Sequence, residues 1–306
     1  MSDRRPFHVL VTGASGFLGW NLCRERPAEW RLTGVACTQP LAPVAGVEPR
    51  QADLTRYEEL KALLRAARPD AVLHAAAMAE PNRCEREPAA ARRINVEAAV
   101  SLAGLCADAG IPCLFISTDL VFDGRHAPYA EEAEPAPINR YGEQKALAEQ
   151  GMRERCPALI VCRLPLLFGA AGPHAQSFLP PLVAALRAGP PPRLFTDEFR
   201  TPVSGREAAR GLWHILATVG GQPGLFHLGG PERISRHGFG QLTAELLGTG
   251  AGTIIPCRQA DVAMPAARPA DVSLDSRRAR GQGWNPPPLR AELAAELAAL
   301  AVAAQP

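Results

Sequence analysis

Short apolar runs alternate with longer stretches of helical period through the first half of the chain. Residues 7–12, 32–37, 71–74, 113–117 and 159–162 are rich in Val, Leu, Ile, Ala and Cys and are predicted as strands. Residues 19–29, 56–67, 88–109 and 139–154 carry apolar positions at helical spacing and are predicted as helices. Strands that are apolar on both faces and separated by helices predict a parallel sheet covered on both sides, the doubly wound α/β plan. Beyond Arg163 the pattern loosens. Proline-rich residues 189–192 and 286–288 read as rigid connections, and residues 289–302 read as a closing helix.

The first predicted strand runs into Gly13-Ala14-Ser15-Gly16-Phe17-Leu18-Gly19 and then into a helix-like segment. In that order, Gly13 allows a tight turn, Gly16 lets backbone N–H groups approach a pyrophosphate, and Gly19 lets the helix pack on the strand. The helix N-terminus faces the negative charge. A dinucleotide site on a Rossmann-type sheet is the prediction. The domain reading that follows assigns residues 1–163 to dinucleotide binding, with later segments such as 196–228 returning to that domain. Residues 164–306 then form mainly a smaller C-terminal α/β lobe for a substrate.

Length and charge narrow the partners. At 306 residues and 47% hydrophobic content, the chain can bury one large core plus a smaller lobe. A formal charge of +2 with interspersed signs gives neither a basic stripe for nucleic acid nor a polybasic membrane patch. The polar start Met1-Ser2-Asp3-Arg4-Arg5-Pro6 has no apolar leader, and no later apolar run reaches the roughly 18 residues of a membrane span, so a cytoplasmic protein is expected. The eight cysteines are scattered without a C-x-x-C pair, which favours reduced core thiols over a metal site.

The chain has only two lysines, Lys61 and Lys145, and the second stands four residues after Tyr141 in Tyr141-Gly142-Glu143-Gln144-Lys145. On a helix these positions share a face, about 6 Å apart along the axis. A cation beside a phenol favours the phenolate and is expected to pull the tyrosine pKa down from about 10, making a proton donor for a carbonyl. Three further positions fit such a site. Ala75, Ala76 and Ala77 end the strand over residues 71–74 with small side chains, which permits a cofactor ribose to pass closely. Thr118 ends the next strand with a hydroxyl at the edge where open α/β sheets bind ligands. Asn95 is a poor residue for the middle of an apolar helix, so it is expected to contact water or backbone near Lys145, or to satisfy a buried strand carbonyl.

Together, Thr12-Gly13-x-x-Gly16-x-x-Gly19, His74-Ala75-Ala76, Asn95, Thr118 and Tyr141-x-x-x-Lys145 resemble the extended short-chain dehydrogenases/reductases. Within that superfamily, residues 117–124 (Ser-Thr-Asp-Leu-Val-Phe-Asp-Gly) and 137–142 (Pro-Ile-Asn-Arg-Tyr-Gly) are similar to the dTDP-4-dehydrorhamnose reductase family, and the likeness extends to residues 197–203 and 268–275. The resemblance implies that Thr118 polarises a ketone, Tyr141 donates the proton, and Lys145 lowers the tyrosine pKa while binding the nicotinamide ribose. It also implies that residues 15–18 (Ser15, Gly16, Phe17, Leu18) cover the pyrophosphate, Asp53 and Leu54 lie by the adenine, and Ala75 to Ala77 line the ribose. The reaction implied is NAD(P)H-dependent reduction of a keto group on a nucleoside-diphosphate sugar. A homodimer is common among such proteins.

Two departures keep other readings open. Where the reductases tend to carry R-T-S-W, this chain has Arg163-Leu164-Pro165-Leu166, without the aromatic residue. That segment, and residues 129–137, are equally similar to the β subunit of methionine adenosyltransferase, a regulatory relative. A sugar-nucleotide epimerase shares the core motifs. After the second predicted strand, Cys37-Thr38-Gln39 carries no carboxylate to repel a 2′-phosphate, so NADP(H) is expected over NAD(H), with Thr38 or Gln39 as donors and NAD(H) still permitted. Arg200 is expected in a substrate-side loop, where arginine suits phosphate contacts.

Overall fold

The computed structural model describes residues 6–250 and 254–303; the polar start over residues 1–5 lies outside them. Strand β1 (His8–Thr12) leads to helix α1 (Phe17–Arg24), then β2 (Arg31–Ala36), β3 (Val47–Gln51), α2 (Tyr57–Ala67) and β4 (Ala71–His74). Helices α3 (Pro81–Arg86) and α4 (Pro88–Arg92) pass through a π-helical turn, Arg93–Ala98, into α5 (Ala99–Asp108). Next come β5 (Cys113–Thr118), a 3-10 turn (Asp119–Val121), α6 (Arg140–Arg155), β6 (Leu159–Leu164) and β7 (Leu167–Phe168). The later part contains α7 (Leu179–Ala188), β8 (Arg193–Phe195), β9 (Phe199–Arg200), β10 (Val203–Ser204), α8 (Gly205–Val219) and β11 (Gly224–His227). It closes with β12 (Ile234–Ser235), α9 (Arg236–Leu247), β13 (Ile255–Cys257), α10 (Arg277–Gly281) and α11 (Leu289–Ala303).

Seven strands form one sheet in the order β3-β2-β1-β4-β5-β6-β11, and every pairing is parallel. Strand period sends alternate side chains to opposite faces, and both faces are dry. Val9 and Val11 of β1, Leu114 of β5 and Ile160 of β6 pack beneath α1 and α8 with Leu22, Leu212 and Trp213. Leu10, Val72, Phe115 and Val161 face the other way, against Leu60 of α2, Leu102 of α5 and Met152 of α6. The predicted doubly wound parallel sheet is therefore present. The expected helix over residues 88–109 is interrupted by the π turn around Asn95.

Two strands of this sheet escaped the sequence pattern. β3 contains Pro49 and is largely exposed, because it is the sheet edge, where a proline and polar side chains are tolerated. β11 comes from residues 224–227, far along the chain, and pairs with β6 as the opposite edge. The 163/164 division falls inside β6. A separate core, with Phe168, Leu182, Phe239 and Leu293 at its centre, holds α7, α9 and α11 together around the small β8–β13 pair.

The strand order reverses between β1 and β4. Their carboxyl ends part there and leave the crevice at which sheets of this class bind ligands.

Candidate active site

A cavity of about 670 Å³ opens above this crevice, between the sheet edge and the helices of the second core. On the sheet side it is lined by Gly13, Gly16, Phe17, Leu18 and Gly19, by Ala75 and Ala77, and by Thr118, Tyr141 and Lys145. The opposite wall includes Phe178, Phe195, Glu198, Arg200, Arg236 and Arg268.

The glycine turn is tight and brings helix and strand close together. Gly13 takes φ 70° and its amide neighbour in the turn, Gly16, donates to the Gly13 carbonyl at 3.0 Å. A Cβ on Gly19 would lie 2.1 Å from the Gly13 oxygen, so only glycine lets α1 begin this close to β1. Thr12 ties the turn to β4: its hydroxyl lies 2.7 Å from Nδ1 of His74 and accepts from the Ala76 N–H at 3.2 Å. The start of α1 has no side-chain cap, which leaves its first N–H groups directed at the cavity mouth.

Helix α6 delivers the tyrosine and lysine. Asn139 caps it by accepting from the Gly142 N–H at 2.9 Å. Its buried face is polar, comprising Tyr141, Gln144, Lys145 and Glu149 beside Ala148 and Met152. The Tyr141 phenol and the Thr118 hydroxyl line the same part of the cavity, close enough for Thr118 to oppose the rise of the phenol pKa. Thr118 in turn caps the 3-10 turn, accepting from the Leu120 N–H at 3.2 Å, and donates to Asp119 at 3.2 Å. The Lys145 ammonium sits over the Phe115 ring, 3.8 Å from its centroid.

The electrostatics differ from the sequence expectation. Burial drives the Tyr141 phenol well above the ordinary tyrosine range, with the neighbouring Cys84 and Asp119 pushing the same way. Burial also pulls Lys145 down to about 7, against the opposing pull of Glu149. Helical spacing places the two on one face, as expected, but loss of water decides the direction of the shift at each of them. Each group is thereby biased toward its neutral form. His74, buried and close enough to feel Lys145, is pushed down to about 3 and stays neutral. Burial raises Asp119 to about 6, although Arg200 lies 3.3 Å away.

The remaining sequence candidates fall in two groups. Ser15 and Ala76 belong to the turn and strand end but do not line the cavity, and Thr38, Asp53 and Leu54 lie farther out, past the carboxyl ends of β2 and β3. Asp53 holds a local turn by accepting from the Thr55 N–H and hydroxyl. Asn95 takes the backbone option: its Oδ1 accepts from the Met78 N–H at 2.8 Å, and its amide donates to the Met78 carbonyl at 3.2 Å and to Gln144 at 2.9 Å. It thus fixes the loop after β4 to the residue preceding Lys145. Arg200 lines the wall, but its guanidinium is engaged by Asp119, Glu198 and the carbonyls of Phe199 and Pro269. The better-placed cations, Arg236 stacked 3.6 Å over Phe178 and the half-buried Arg268, were not singled out from sequence; nothing local distinguishes them from other arginines.

The chain matches the model of the RmlD substrate binding domain over residues 7–302. It belongs to that family. Among its relatives is a probable low-salt glycan biosynthesis reductase, Agl14, of Haloferax volcanii, 33% identical over 292 residues, which span 94% of this chain and 96% of the relative. A dTDP-4-dehydrorhamnose reductase of Burkholderia thailandensis is 30% identical over 283 residues, 88% of this chain and 90% of the other. In structure the chain resembles a dTDP-4-dehydrorhamnose reductase of Bacillus anthracis crystallised with NADP, with a TM-score of 0.83 at 22% identity, covering 95% of this chain and 99% of that one. That likeness establishes the shared Rossmann-type fold.

Proposed function

We propose that the protein is an NADPH-dependent reductase of a keto group on a nucleoside-diphosphate sugar, of the dTDP-4-dehydrorhamnose reductase type. One observation carries the reading. Thr118, Tyr141 and, one helical turn on, Lys145 line the same cavity as the glycine turn. The family membership and the reductase names of the relatives support the same chemistry.

In this reading residues 1–163, with β11 from the 196–228 stretch, hold the dinucleotide, and residues 164–306 supply most of the substrate wall. Gly13, Ser15, Gly16, Phe17, Leu18 and Gly19 take the pyrophosphate; Ala75, Ala76 and Ala77 flank a ribose; Thr38, Asp53 and Leu54 lie toward the adenosine end. Asn95 supports the ribose side indirectly through Met78 and Gln144. A bound nicotinamide supplies the hydride. Tyr141 directs its hydroxyl to the carbonyl oxygen, and Thr118 joins it as its O–H turns there from Asp119. The high phenol pKa keeps the proton on Tyr141 until the oxygen acquires charge, and protonated Lys145 stabilises the phenolate left behind. Arg236 and Arg268 give the substrate wall a positive character suited to a diphosphate. NADP(H) is the preferred cofactor and NAD(H) is accepted. The setting is cytoplasmic, and no helix among the described residues is long and apolar enough to cross a membrane. A homodimer is the proposed assembly, checked by light scattering.

The test follows nicotinamide absorbance when the protein meets NADPH and dTDP-4-dehydro-6-deoxyhexose. Wild type turns over, whereas Tyr141→Phe binds NADPH normally and loses about 10²- to 10⁴-fold in kcat. Cofactor binding without oxidation by the wild type rules out this substrate and favours a regulatory role. In a side-by-side titration NADPH binds more tightly than NADH; the reverse order overturns the cofactor preference.

A further inference from the structure

Behind the cavity, one turn beyond Lys145, lies a carboxylate that the chemistry above does not use. Glu149 is buried and does not line the cavity. Tyr141, Lys145 and Glu149 follow one another at four-residue intervals, so all three fall along one face of α6. The Glu149 carboxylate accepts from the Ser117 hydroxyl of β5 at 2.5 Å, from Arg163 Nε and Nη2 of β6 at 2.9 and 2.7 Å, and from Arg153 at 3.1 Å. Ser117 and Arg163 are register partners on adjacent strands, and the next residue of β5 is Thr118. The same carboxylate thus fastens α6 to the strand that carries the other hydroxyl.

We propose that Glu149 is a positioning residue for the reduction, holding α6 against β5 and β6 and supplying the negative field that keeps the Lys145 ammonium charged at the back of the site. The proposal rests on the reading of Lys145 as part of the catalytic set. The other groups around Lys145 do not offer that field. His74 on β4 is neutral; Tyr141 on the same helix is protonated, as is Cys84 on α3, whose thiol burial raises to about 11. Asp119 lies on the tyrosine side and is paired with Arg200. Glu149 is the one group whose charge raises Lys145 against its desolvation. Arg163, fully buried and bonded through two nitrogens, fixes that charge while partly cancelling it at the lysine.

This arrangement predicts opposite effects from the two partners. Because the chain has only two lysines, ¹³Cε-lysine labelling of the full chain gives two titrating signals, and Lys61→Arg assigns them. In Glu149→Gln the Lys145 midpoint falls by about one pH unit or more, and in Arg163→Met it rises. Should Glu149→Gln fail to fold with Arg163 left uncompensated, Glu149→Gln/Arg163→Met removes both charges and is expected to show a smaller fall, because the opposing effect of Arg163 is lost with that of Glu149. The basic limb of the kcat profile for NADPH oxidation moves with the midpoint, since turnover needs the charged lysine. An unmoved Lys145 midpoint in a variant whose circular dichroism is native overturns the proposal. A midpoint that moves while the rate profile stays fixed upholds the electrostatic link and instead overturns the catalytic reading of Lys145.

Discussion

Asn95 illustrates how one polar residue inside an apolar helix can set the geometry of a site it does not enter. Its side chain gives both backbone groups of Met78 a partner and holds the Gln144 amide, so the loop after β4 and the start of α6 share one anchor. The π turn around it widens the helix by one residue per turn and directs the amide inward, a local irregularity often found near functional sites. Asn95→Leu leaves these buried groups without partners and is expected to cost about 2 to 4 kcal/mol. Urea denaturation with an unchanged m-value measures the loss, and a variant as stable as wild type contradicts this role. From sequence, Asn95 was visible as an oddity, but its partner was not, because Met78 reaches it only when the loop after β4 folds against the π turn.

At the scale of elements, the distance between Tyr141 and Thr118 depends on how closely α6 approaches the turn after β5. Gly142 sets that distance. A Cβ there would stand 2.0 Å from the Leu120 carbonyl oxygen and 3.0 Å from Pro137, so any side chain forces the helix start away from the 3-10 turn. Gly142→Ala is expected to stay folded and to lose about 100-fold in kcat/KM, the scale of a displacement near 1 Å at reacting groups. Wild-type kinetics for this variant would refute the close-approach argument. The motif Tyr-Gly at the head of the helix was legible in the chain; the obstacle that makes the glycine necessary belongs to a different element.

Across the whole molecule, the C-terminal helix α11 closes the second core and is tied back to the cavity wall. Glu292 accepts from the Ser204 N–H of β10 at 2.7 Å and Glu296 from the Ala170 N–H just beyond β7 at 2.8 Å, and β10 and β7 pair with each other beside the cavity-lining Leu166 and Leu167. Burial, aided by Glu207 and Glu296, raises Glu292 to about 7. A carboxyl raised in the folded state prefers its proton there, so this site is most favourable below the unfolded value near 4.5 and loses stability as pH rises toward and through about 7. Glu292→Gln, which keeps an acceptor for Ser204, is therefore expected to match wild type near pH 4.5. At pH 8 it should exceed wild type by about 2 kcal/mol. Thermal unfolding at the two pH values tests this, and equal stabilities at pH 8 would count against it.

The sequence by itself determined the sheet-and-helix plan, the glycine turn and the Tyr141/Lys145 spacing, because strand and helix periods and short-range steric rules act between neighbours in the chain. It did not determine the two edge strands. β3 lacks an apolar pattern because it is a largely exposed edge, and β11 pairs with β6 from some sixty residues farther along the chain. The tertiary structure also decided the sign of the pKa changes, since desolvation depends on what closes over Tyr141 and Lys145 from elsewhere in the chain. It decided as well that Arg200 is committed to Asp119 and Glu198. The same closure brought Glu149 within reach of Ser117 and Arg163. Periodicity fixes which residues share a face; burial and charge depend on what that face meets.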